Sequence, residues 1–215
     1  DLLDIAPLAS QTRTSDNKGA RVGAALAYMI VAKCAMWNAN QDPAYWDTAL
    51  DAIAQLETIY GDFSQYDYKE NVLFRNKNTP ESIFEIQHAY QKGGINYASN
   101  CASACMPYPR STDTYTYDGV DIPELGDEST AWSPLRPCGY MKSSVMPSSV
   151  PDARREINMV SSWGGHSFST TWMGPKFWCP NMYQDRDDNN YPIFRYADVL
   201  LMIAECCCGL ADEDG

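Results

Sequence analysis

Two consecutive helical patterns near the start of the sequence constrain its fold more than any other feature. Over residues 18–38, one helix face is marked by side chains at three- and four-residue steps: Val22, Leu26, Met29, Lys33 and Trp37. Eight of the remaining positions in this segment are Gly or Ala. Because small side chains let neighbouring helices approach closely, we expect this helix to pack on more than one side, with Trp37 in the core.

A second helix follows after a short connection. Asp42 can cap its N-terminus, and Pro43 suits the first helical position because its missing amide hydrogen has no intrahelical partner there. The pattern runs to Tyr60, and Gly61 supplies the left-handed residue that ends a helix. Helices joined by about four residues pack antiparallel, so this region predicts a hairpin of the size of one tetratricopeptide unit, with Trp46 in its core.

A third helical pattern begins near Phe194. Its apolar stripe is predicted from these positions: Tyr196 or Ala197, Leu200, Leu201, Ala204 and Cys208. An apolar helix needs a partner, and a single helical hairpin cannot bury its own apolar face. We therefore expect these helices to belong to a larger helical assembly.

The pattern changes between the helices. Residues 82–87 alternate apolar and polar side chains as a short strand does. Residues 93–173 show no sustained period, and they are too rich in Tyr and Trp to be disordered. Long ordered loops with short helical turns are predicted there, the kind of segment that carries function. The predicted parts are a helical part with a short strand (1–92), a loop-rich aromatic lobe (93–180) and the start of a truncated C-terminal helical pair (181–215).

Charge and composition exclude several classes of function. The chain has 16 Lys and Arg against 28 Asp and Glu, a net charge of −12, so neither nucleic acid nor an anionic membrane surface is an expected partner. No run of about 18 apolar residues could span a membrane, and no secretion signal opens the sequence. With His88 and His166 as the two histidines, a multi-histidine metal site is excluded, and the lack of a C-x-x-C pair argues against a zinc ribbon.

The eight cysteines do not follow the pattern of a small disulfide scaffold, because three of them, residues 206–208, are adjacent. We interpret most of them as small apolar side chains. Cys101 and Cys105 could form a loop disulfide or remain thiols, and the sequence leaves both possibilities open.

Several stretches, in the same order along the chain, resemble the SusD/RagB family of Bacteroidetes glycan-binding lipoproteins. They are residues 17–37, residues 45–63, the segment Pro80-Glu81-Ser82-Ile83-Phe84-Glu85-Ile86-Gln87, Asp152 with Arg154 and Arg155, and residues 190–205. The last stretch, with Arg195-Tyr196-Ala197-Asp198 at its centre, is the most specific. Members of this family are typically more than twice as long, so the resemblance covers the middle of such a protein.

The resemblance implies a mainly α fold, in which tetratricopeptide-like helix pairs support a loop-rich lobe. It implies a non-catalytic protein of the cell outer membrane, held at the surface by a lipid anchor that is absent from this sequence. The ligand would be an oligosaccharide or polysaccharide, and the partner a SusC-like TonB-dependent transporter. The resemblance implies no cofactor and no catalytic residue.

Sugar recognition needs flat apolar platforms edged by planar hydrogen-bonding groups, and the loop-rich lobe contains both. The candidate ligand-binding residues are Trp132, Tyr108, Tyr115, Tyr117, Tyr97, Asn96, Asn100 and Arg110. Trp132 is the strongest single candidate. The alternative for each ring is a place in a small core beneath the loops.

Two rival functions stay open. One is a peptide-binding member of the same type of uptake system. The other is a glycoside hydrolase that uses the loop carboxylates Glu124, Asp127 and Glu128, which would have to face each other across the scissile bond.

Two further clusters have structural interpretations. Trp163, Trp172, Phe177 and Trp178 are expected to pack in a core. Residues 185–190 carry five oxygen-bearing side chains, which could bind calcium, but we expect a solvated acidic loop and assign no metal ligands. Arg195, Asp198 and Glu205 are expected to be structural groups on the last helix.

Overall fold

The computed structural model describes residues 22–91, 93–107, 135–183 and 185–213, together with residues 116–117 and 120–121. Contacts divide the chain into two compact units. Unit 1 comprises residues 1–71, 78–86 and 192–215, and unit 2 comprises residues 72–77 and 87–191. Each unit has its own hydrophobic core.

The elements follow one another in this order: α1 (Ala24–Asn38), α2 (Ala44–Tyr60), α3 (Tyr68–Asn71), β1 (Ser82–Ile86), β2 (Ala89–Tyr90), β3 (Asn96–Tyr97), α4 (Cys101–Cys105), β4 (Thr116–Tyr117), β5 (Val120–Asp121), α5 (Ala153–Asn158), β6 (Met159–Trp163), β7 (His166–Met173), β8 (Met182–Tyr183), β9 (Arg186–Asp187), β10 (Tyr191–Arg195) and α6 (Tyr196–Glu213). Single turns of 3-10 or π helix lie at Phe63–Gln65, Met141–Val145 and Pro175–Phe177. None of the helices in the described ranges combines the length and apolarity needed to cross a membrane.

Unit 1 is built on the predicted pair of helices, α1 and α2, which share one core. The Asp42 carboxylate accepts a hydrogen bond of 3.1 Å from the Ala44 amide at the start of α2. Gly61 ends α2 with a φ of +72°. Residues 24–27 are all buried, so the first turn of α1 is covered on every side, as its small side chains predicted.

The predicted face of α1 is wrong at both ends. Val22 lies before the helix, because Gly23 is extended and α1 begins at Ala24. Trp37 is 81% exposed, whereas its neighbour Met36 is buried in the core. Successive helix residues are rotated by about 100°, so a core position at Met36 turns Trp37 outward. Trp46 of α2 is buried, as predicted.

β1 confirms the predicted strand and pairs with β10, which leads directly into α6. Glu81, the residue directly before β1, has a side chain that is almost fully buried. Its carboxylate oxygens accept hydrogen bonds from the Arg195 guanidinium at 3.1 and 3.2 Å and from the Ala197 amide at 2.9 Å. The buried charge is therefore paired, and it lies at the positive N-terminal end of α6.

Two stacked tyrosines connect the ends of α2 and α6 in unit 1. The ring centroids of Tyr60 and Tyr196 are 5.1 Å apart. The Tyr60 hydroxyl donates to the Ser82 carbonyl at 3.0 Å, and the Tyr196 hydroxyl donates to the Gly61 carbonyl at 2.9 Å. Both rings are buried without leaving a hydroxyl unsatisfied, which is the condition for placing tyrosine in a core. Burial raises the pKa of Tyr196 above its ordinary value.

The buried face of α6 differs from the predicted stripe. Tyr196 is in the core as expected, but it is accompanied by Val199, Met202 and Cys206, while Leu201 is 70% exposed and Leu200 36% exposed. The prediction that Leu200 and Leu201 are core residues is wrong. The physical reason is that α6 has two apolar faces, and hydrophobic period alone does not decide which face the core takes.

Unit 2 consists of short antiparallel ribbons: β2 with β3, β4 with β5, β6 with β7, and β8 with β9. The longest ribbon is formed by β6 and β7. It shows that the prediction of loops and short helical turns for residues 93–173 is wrong for this part of the segment. Gly164 and Gly165 form its turn, both with positive φ, and a two-residue Gly-Gly connection is a hairpin signal. The flanking strands are rich in Ser and Thr, so their apolar alternation is weak.

Tryptophans form the core of unit 2, as predicted for this cluster. Trp178 is fully buried, and its indole nitrogen donates to the Met173 carbonyl at 3.0 Å. Trp163 packs edge-on against Trp178 with ring centroids 5.0 Å apart. The Arg136 guanidinium lies 4.0 Å from the ring centroid of Trp172, a cation–π contact that covers the edge of this core.

We expect Met202→Ala to lower the free energy of unfolding by about 2–5 kcal/mol, because it removes a fully buried side chain and leaves a cavity. Leu201→Ala, one position earlier on the exposed side of α6, should change it by about 0.5 kcal/mol or less. Urea denaturation of both variants measures the difference. Equal losses would show that the two faces of α6 are buried alike.

Gly174→Ala should destabilise unit 2, because a Cβ at this position would lie 2.3 Å from the Ile157 carbonyl oxygen and 2.8 Å from the Met159 nitrogen. These are backbone atoms at the α5–β6 junction, which cannot move aside as a flexible side chain can. We expect a loss of about 1–3 kcal/mol, as for other overpacked sites. Thermal unfolding measures it, with Gly139→Ala as the control because that position has open space around it. Matching melting temperatures for the two variants would contradict the prediction.

Candidate functional site

Tyr97 presents an exposed aromatic ring on unit 2. It lies in β3, paired with Ala89 of β2, and 74% of its surface is exposed. Asn96 and Asn100, both among the predicted ligand-binding residues, are also exposed. We name these three residues the Tyr97 surface. Asn96 precedes Tyr97 in the strand, so its side chain points to the opposite face of the ribbon. The exposed Tyr97 ring can pack against the C–H face of a sugar, and amide groups such as that of Asn100 can hydrogen-bond sugar hydroxyls.

A tight turn holds β3 beside β2. The Gln91 amide donates to the Ile95 carbonyl at 2.8 Å, and the Gly94 amide donates to the Gln91 carbonyl at 3.0 Å. Gly93 has a φ of +76° with open space around it, a conformation in which a residue with a side chain would be strained. The ribbon that carries Tyr97 therefore has a defined backbone on both strands.

Asp187 anchors the segment that follows Tyr97. The backbones of Ser99 and Asp187 exchange two hydrogen bonds, at 2.8 and 2.9 Å. The two carboxylate oxygens of Asp187 accept hydrogen bonds from the Ala102 and Asn189 amides, each at 2.9 Å. Asn100 thus lies between Ser99 and Ala102, both of which are bound to one buried residue, so its backbone position is fixed.

Burial raises the pKa of the Asp187 carboxyl above its ordinary value, although the hydrogen bonds from Ala102 and Asn189 oppose this shift. A carboxyl whose pKa is raised in the folded state makes the fold relatively more stable at low pH. This contribution falls as the pH rises through the folded-state pKa.

The prediction of a solvated acidic loop at residues 185–190 is wrong. Asp187, Asn189 and Asn190 are buried, and the Asn190 side chain accepts from the His88 amide and donates to Gln87, both at 2.9 Å. These polar side chains satisfy backbone groups of unit 2 rather than facing water. In the parts of the chain that the structure describes, no group of three or more His, Cys, Asp or Glu side chains is arranged to hold a metal ion.

The remaining predicted ligand-binding residues fall outside the described residues or are described by backbone alone. Tyr108, Arg110, Tyr115 and Trp132 belong to the first group. Tyr117 lies in β4, opposite Val120 of β5. For all eight predicted residues, Tyr97, Asn96 and Asn100 included, the glycan-binding role stays a prediction.

The cysteines are thiols in this structure. Cys105, Cys179 and Cys206 are buried, as expected for small apolar side chains. Cys101 and Cys105 lie one helical turn apart in α4, and the neighbouring Cys105 thiol together with burial raises the pKa of Cys101. The neutral thiol is therefore the stable form of Cys101.

Comparison with known proteins identifies the fold. Residues 168–215 match the SusD family. Similar solved structures include B. fragilis NanU, with 21% identity over 88% of this chain and a TM-score of 0.59. Surface glycan-binding protein A from Bacteroides thetaiotaomicron shares 19% identity over 95% of the chain, with a TM-score of 0.60. The structure of surface glycan-binding protein A from the same organism in complex with laminarihexaose shares 20% identity over 95% of the chain, with a TM-score of 0.50. The family match covers the C-terminal segment, and the likeness to the solved structures shows the same fold over most of the chain.

The chain spans less than half of the solved structures it resembles, 41% of NanU and 46% of surface glycan-binding protein A. None of the proteins with a curated description matches its sequence. The predicted fold class, mainly α with tetratricopeptide-like helix pairs, is confirmed by these comparisons.

Asp187→Asn should lower the free energy of unfolding by about 1–3 kcal/mol. Two backbone amides, those of Ala102 and Asn189, each need an acceptor, but a side-chain amide offers one oxygen, so one buried N–H loses its partner. Chemical denaturation at pH 7 measures the loss. Asp185→Asn is the matched control, because Asp185 lies in the same segment and is partly exposed.

The pH dependence of the free energy of unfolding gives a second measurement, which compares the wild type with Asp187→Asn. Since the pKa of Asp187 is raised in the folded state, the wild type should gain stability relative to Asp187→Asn as the pH falls from above the folded-state pKa to the ordinary value of 3.8. A stability difference that is constant over this range would show that Asp187 titrates normally.

Proposed function

We propose that this chain is part of a non-catalytic surface glycan-binding protein that works beside a SusC-like TonB-dependent transporter of the outer membrane. The observation that carries the proposal is the fold match to a surface glycan-binding protein, which was also solved in complex with laminarihexaose. In this proposal a lipid anchor outside the 215 residues holds the protein at the cell surface.

The Tyr97 surface is the feature of this chain itself that supports glycan binding. A tyrosine that is 74% exposed on a ribbon with a fixed backbone is a preformed platform, so little conformational entropy is lost when a sugar stacks on it. Trp132, Tyr108, Tyr115 and Tyr117 would extend the platform, with Arg110 contacting hydroxyl groups. Several shallow contacts of this kind give modest affinity, as suits a protein that must release its ligand to a transporter.

Three buried carboxylates of the described residues are engaged in the fold, whereas Glu124, Asp127 and Glu128, the carboxylates of the hydrolase alternative, lie outside the described residues. A glycoside hydrolase needs two carboxyl groups facing each other across the scissile bond. Glu81, Glu85 and Asp187 are buried and accept hydrogen bonds from backbone or guanidinium groups. These three groups serve the fold, and none is free to act as an acid or nucleophile.

We expect Tyr97→Ala to weaken glycan binding roughly two- to tenfold, the value of one aromatic contact of about 0.5–1.5 kcal/mol. The melting temperature should not change, because the ring is exposed. Affinity gel electrophoresis measures retardation in gels containing laminarin and a panel of plant, mucosal and microbial polysaccharides. Tyr140→Ala is the control, because it removes another tyrosine of unit 2 that is 71% exposed. Trp132→Ala in the same gels tests the strongest sequence-based candidate.

The outcomes separate the open functions. Retardation by one polysaccharide class without release of reducing sugar supports the proposal and names the ligand class. Release of reducing sugar would favour a hydrolase. If no polysaccharide retards the protein but oligopeptides bind to it, the peptide-binding alternative replaces the glycan. Equal retardation of Tyr97→Ala and Tyr140→Ala would place the glycan away from the Tyr97 surface.

A further inference from the structure

α4 is preceded by an asparagine that does not cap it. Asn100 lies directly before α4, and asparagine is favoured at this position because its side-chain oxygen can accept a hydrogen bond from an amide of the first turn. Asn100 makes no such bond. Its backbone, with φ −132° and ψ 21°, also departs from the extended conformation that is typical of a capping residue. The residue is exposed.

The carboxylate of Asp187 takes the place of this missing cap. A capping side chain accepts from the amide of the second or third helical residue, and the second residue of α4 is Ala102. The Ala102 amide donates to the Asp187 carboxylate at 2.9 Å. The amide of Cys101, the first helical residue, donates to the Ser99 hydroxyl at 3.0 Å. The Ala102 amide is thus satisfied by a residue 85 positions away in sequence and not by its close neighbour.

Asp187 is itself held in place by further hydrogen bonds. Its other carboxylate oxygen accepts from the Asn189 amide at 2.9 Å. Its backbone exchanges two hydrogen bonds with that of Ser99, at 2.8 and 2.9 Å. Asp187 therefore binds the chain on both sides of Asn100, at Ser99 and at Ala102. The capping role is filled from β9, so the Asn100 side-chain amide is left available for a ligand.

We propose that Asp187 is a positioning residue of the Tyr97 surface: by accepting the Ala102 amide, it keeps the Asn100 side chain away from α4 and available to a sugar hydroxyl. The inference rests on the proposed glycan-binding function, which gives Asn100 its ligand. Without Asp187, the buried Ala102 amide would need another acceptor. The neighbouring Asn100 side chain is the group suited to supply it, and it would then be withdrawn from the ligand.

A double-mutant cycle in urea denaturation tests this competition for the Ala102 amide. In the wild type, Asn100→Ala should change the unfolding equilibrium constant less than twofold, because Asn100 caps nothing there. In an Asp187→Ala background, Asn100→Ala should raise that constant roughly fivefold, the effect of losing a helix cap. Asn96→Ala is the matched control. It removes another exposed amide from the same segment of unit 2, so its effect should be the same in both backgrounds.

Asp187→Asn is the second variant, to be used if Asp187→Ala does not fold. Asparagine keeps one side-chain oxygen for the amides of Ala102 and Asn189, so Asn100→Ala should again cost more than in the wild type, by a smaller factor. An equal effect of Asn100→Ala in the wild type and in the folded Asp187 variant would overturn the proposal. It would show that Asn100 does not compete for the Ala102 amide.

Affinity gel electrophoresis tests the consequence for the ligand. The gels contain a polysaccharide that retards the wild type, and each mobility is compared with that in a gel without polysaccharide. Asn100→Ala and the Asp187 variant should each weaken binding roughly two- to tenfold, the effect of one hydrogen bond, and the double variant should be no weaker than either. Gly174→Ala controls for destabilisation. It strains unit 2 at the backbone of Ile157, and below its melting temperature it should bind like the wild type.

The gels separate failure of this inference from failure of the proposed function. If a polysaccharide retards the wild type and the Asp187 variant equally, the glycan-binding function stands and the positioning role is overturned. Losses that add up in the double variant overturn it as well, because Asp187 and Asn100 would then act independently. If no polysaccharide retards the wild type, the proposed function fails and the positioning role fails with it. The urea cycle still decides in that case whether Asn100 and Asp187 compete for one amide.

Discussion

Both units depend on the same constraint, that a buried carboxylate must have each of its oxygens satisfied. In unit 1, Glu81 accepts hydrogen bonds from Arg195 and from the amide of Ala197 at the start of α6. In unit 2, Asp187 accepts from the amide of Ala102 at the start of α4 and from Asn189. Each acid joins segments that are far apart in sequence, 116 residues for Glu81 and Ala197 and 85 for Asp187 and Ala102. Removing either acceptor would leave buried amides unpaired.

These anchors explain how a chain with short strands presents a defined surface. β2, β3, β8 and β9 have two residues each, and ribbons of this length are not stable by themselves in water. Asp187 and Asn190 connect them through hydrogen bonds to backbone groups. The exposed ring of Tyr97 is thus carried by a ribbon whose surroundings are fixed, and fixed surroundings are what a binding platform requires.

Agreement between sequence and structure is best where the determining contacts are local. α1 and α2, the hydrogen bond of Asp42 to the start of α2 and the stop at Gly61 all depend on residues within a few positions, so helix period and capping rules predict them. β6 and β7 were missed because Ser and Thr obscure their alternation, although Gly164 and Gly165 signalled a turn. The acidic segment at residues 185–190 was misinterpreted because its hydrogen-bond partners lie far away in sequence, and composition alone resembles a solvated loop.

The sequence by itself determined the helical hairpin, the last helix, the tryptophan core of unit 2 and the family resemblance, because each is encoded in local period or in short motifs. Tertiary structure alone decided which side of a helix is buried and which acids are structural. Trp37 and Leu201 are exposed, and Met36 and Met202 buried, although all four are apolar. The hydrophobic period shows that a helix has an apolar face or faces. Only the packing of α1, α2 and α6 against one another decides which of these faces is buried.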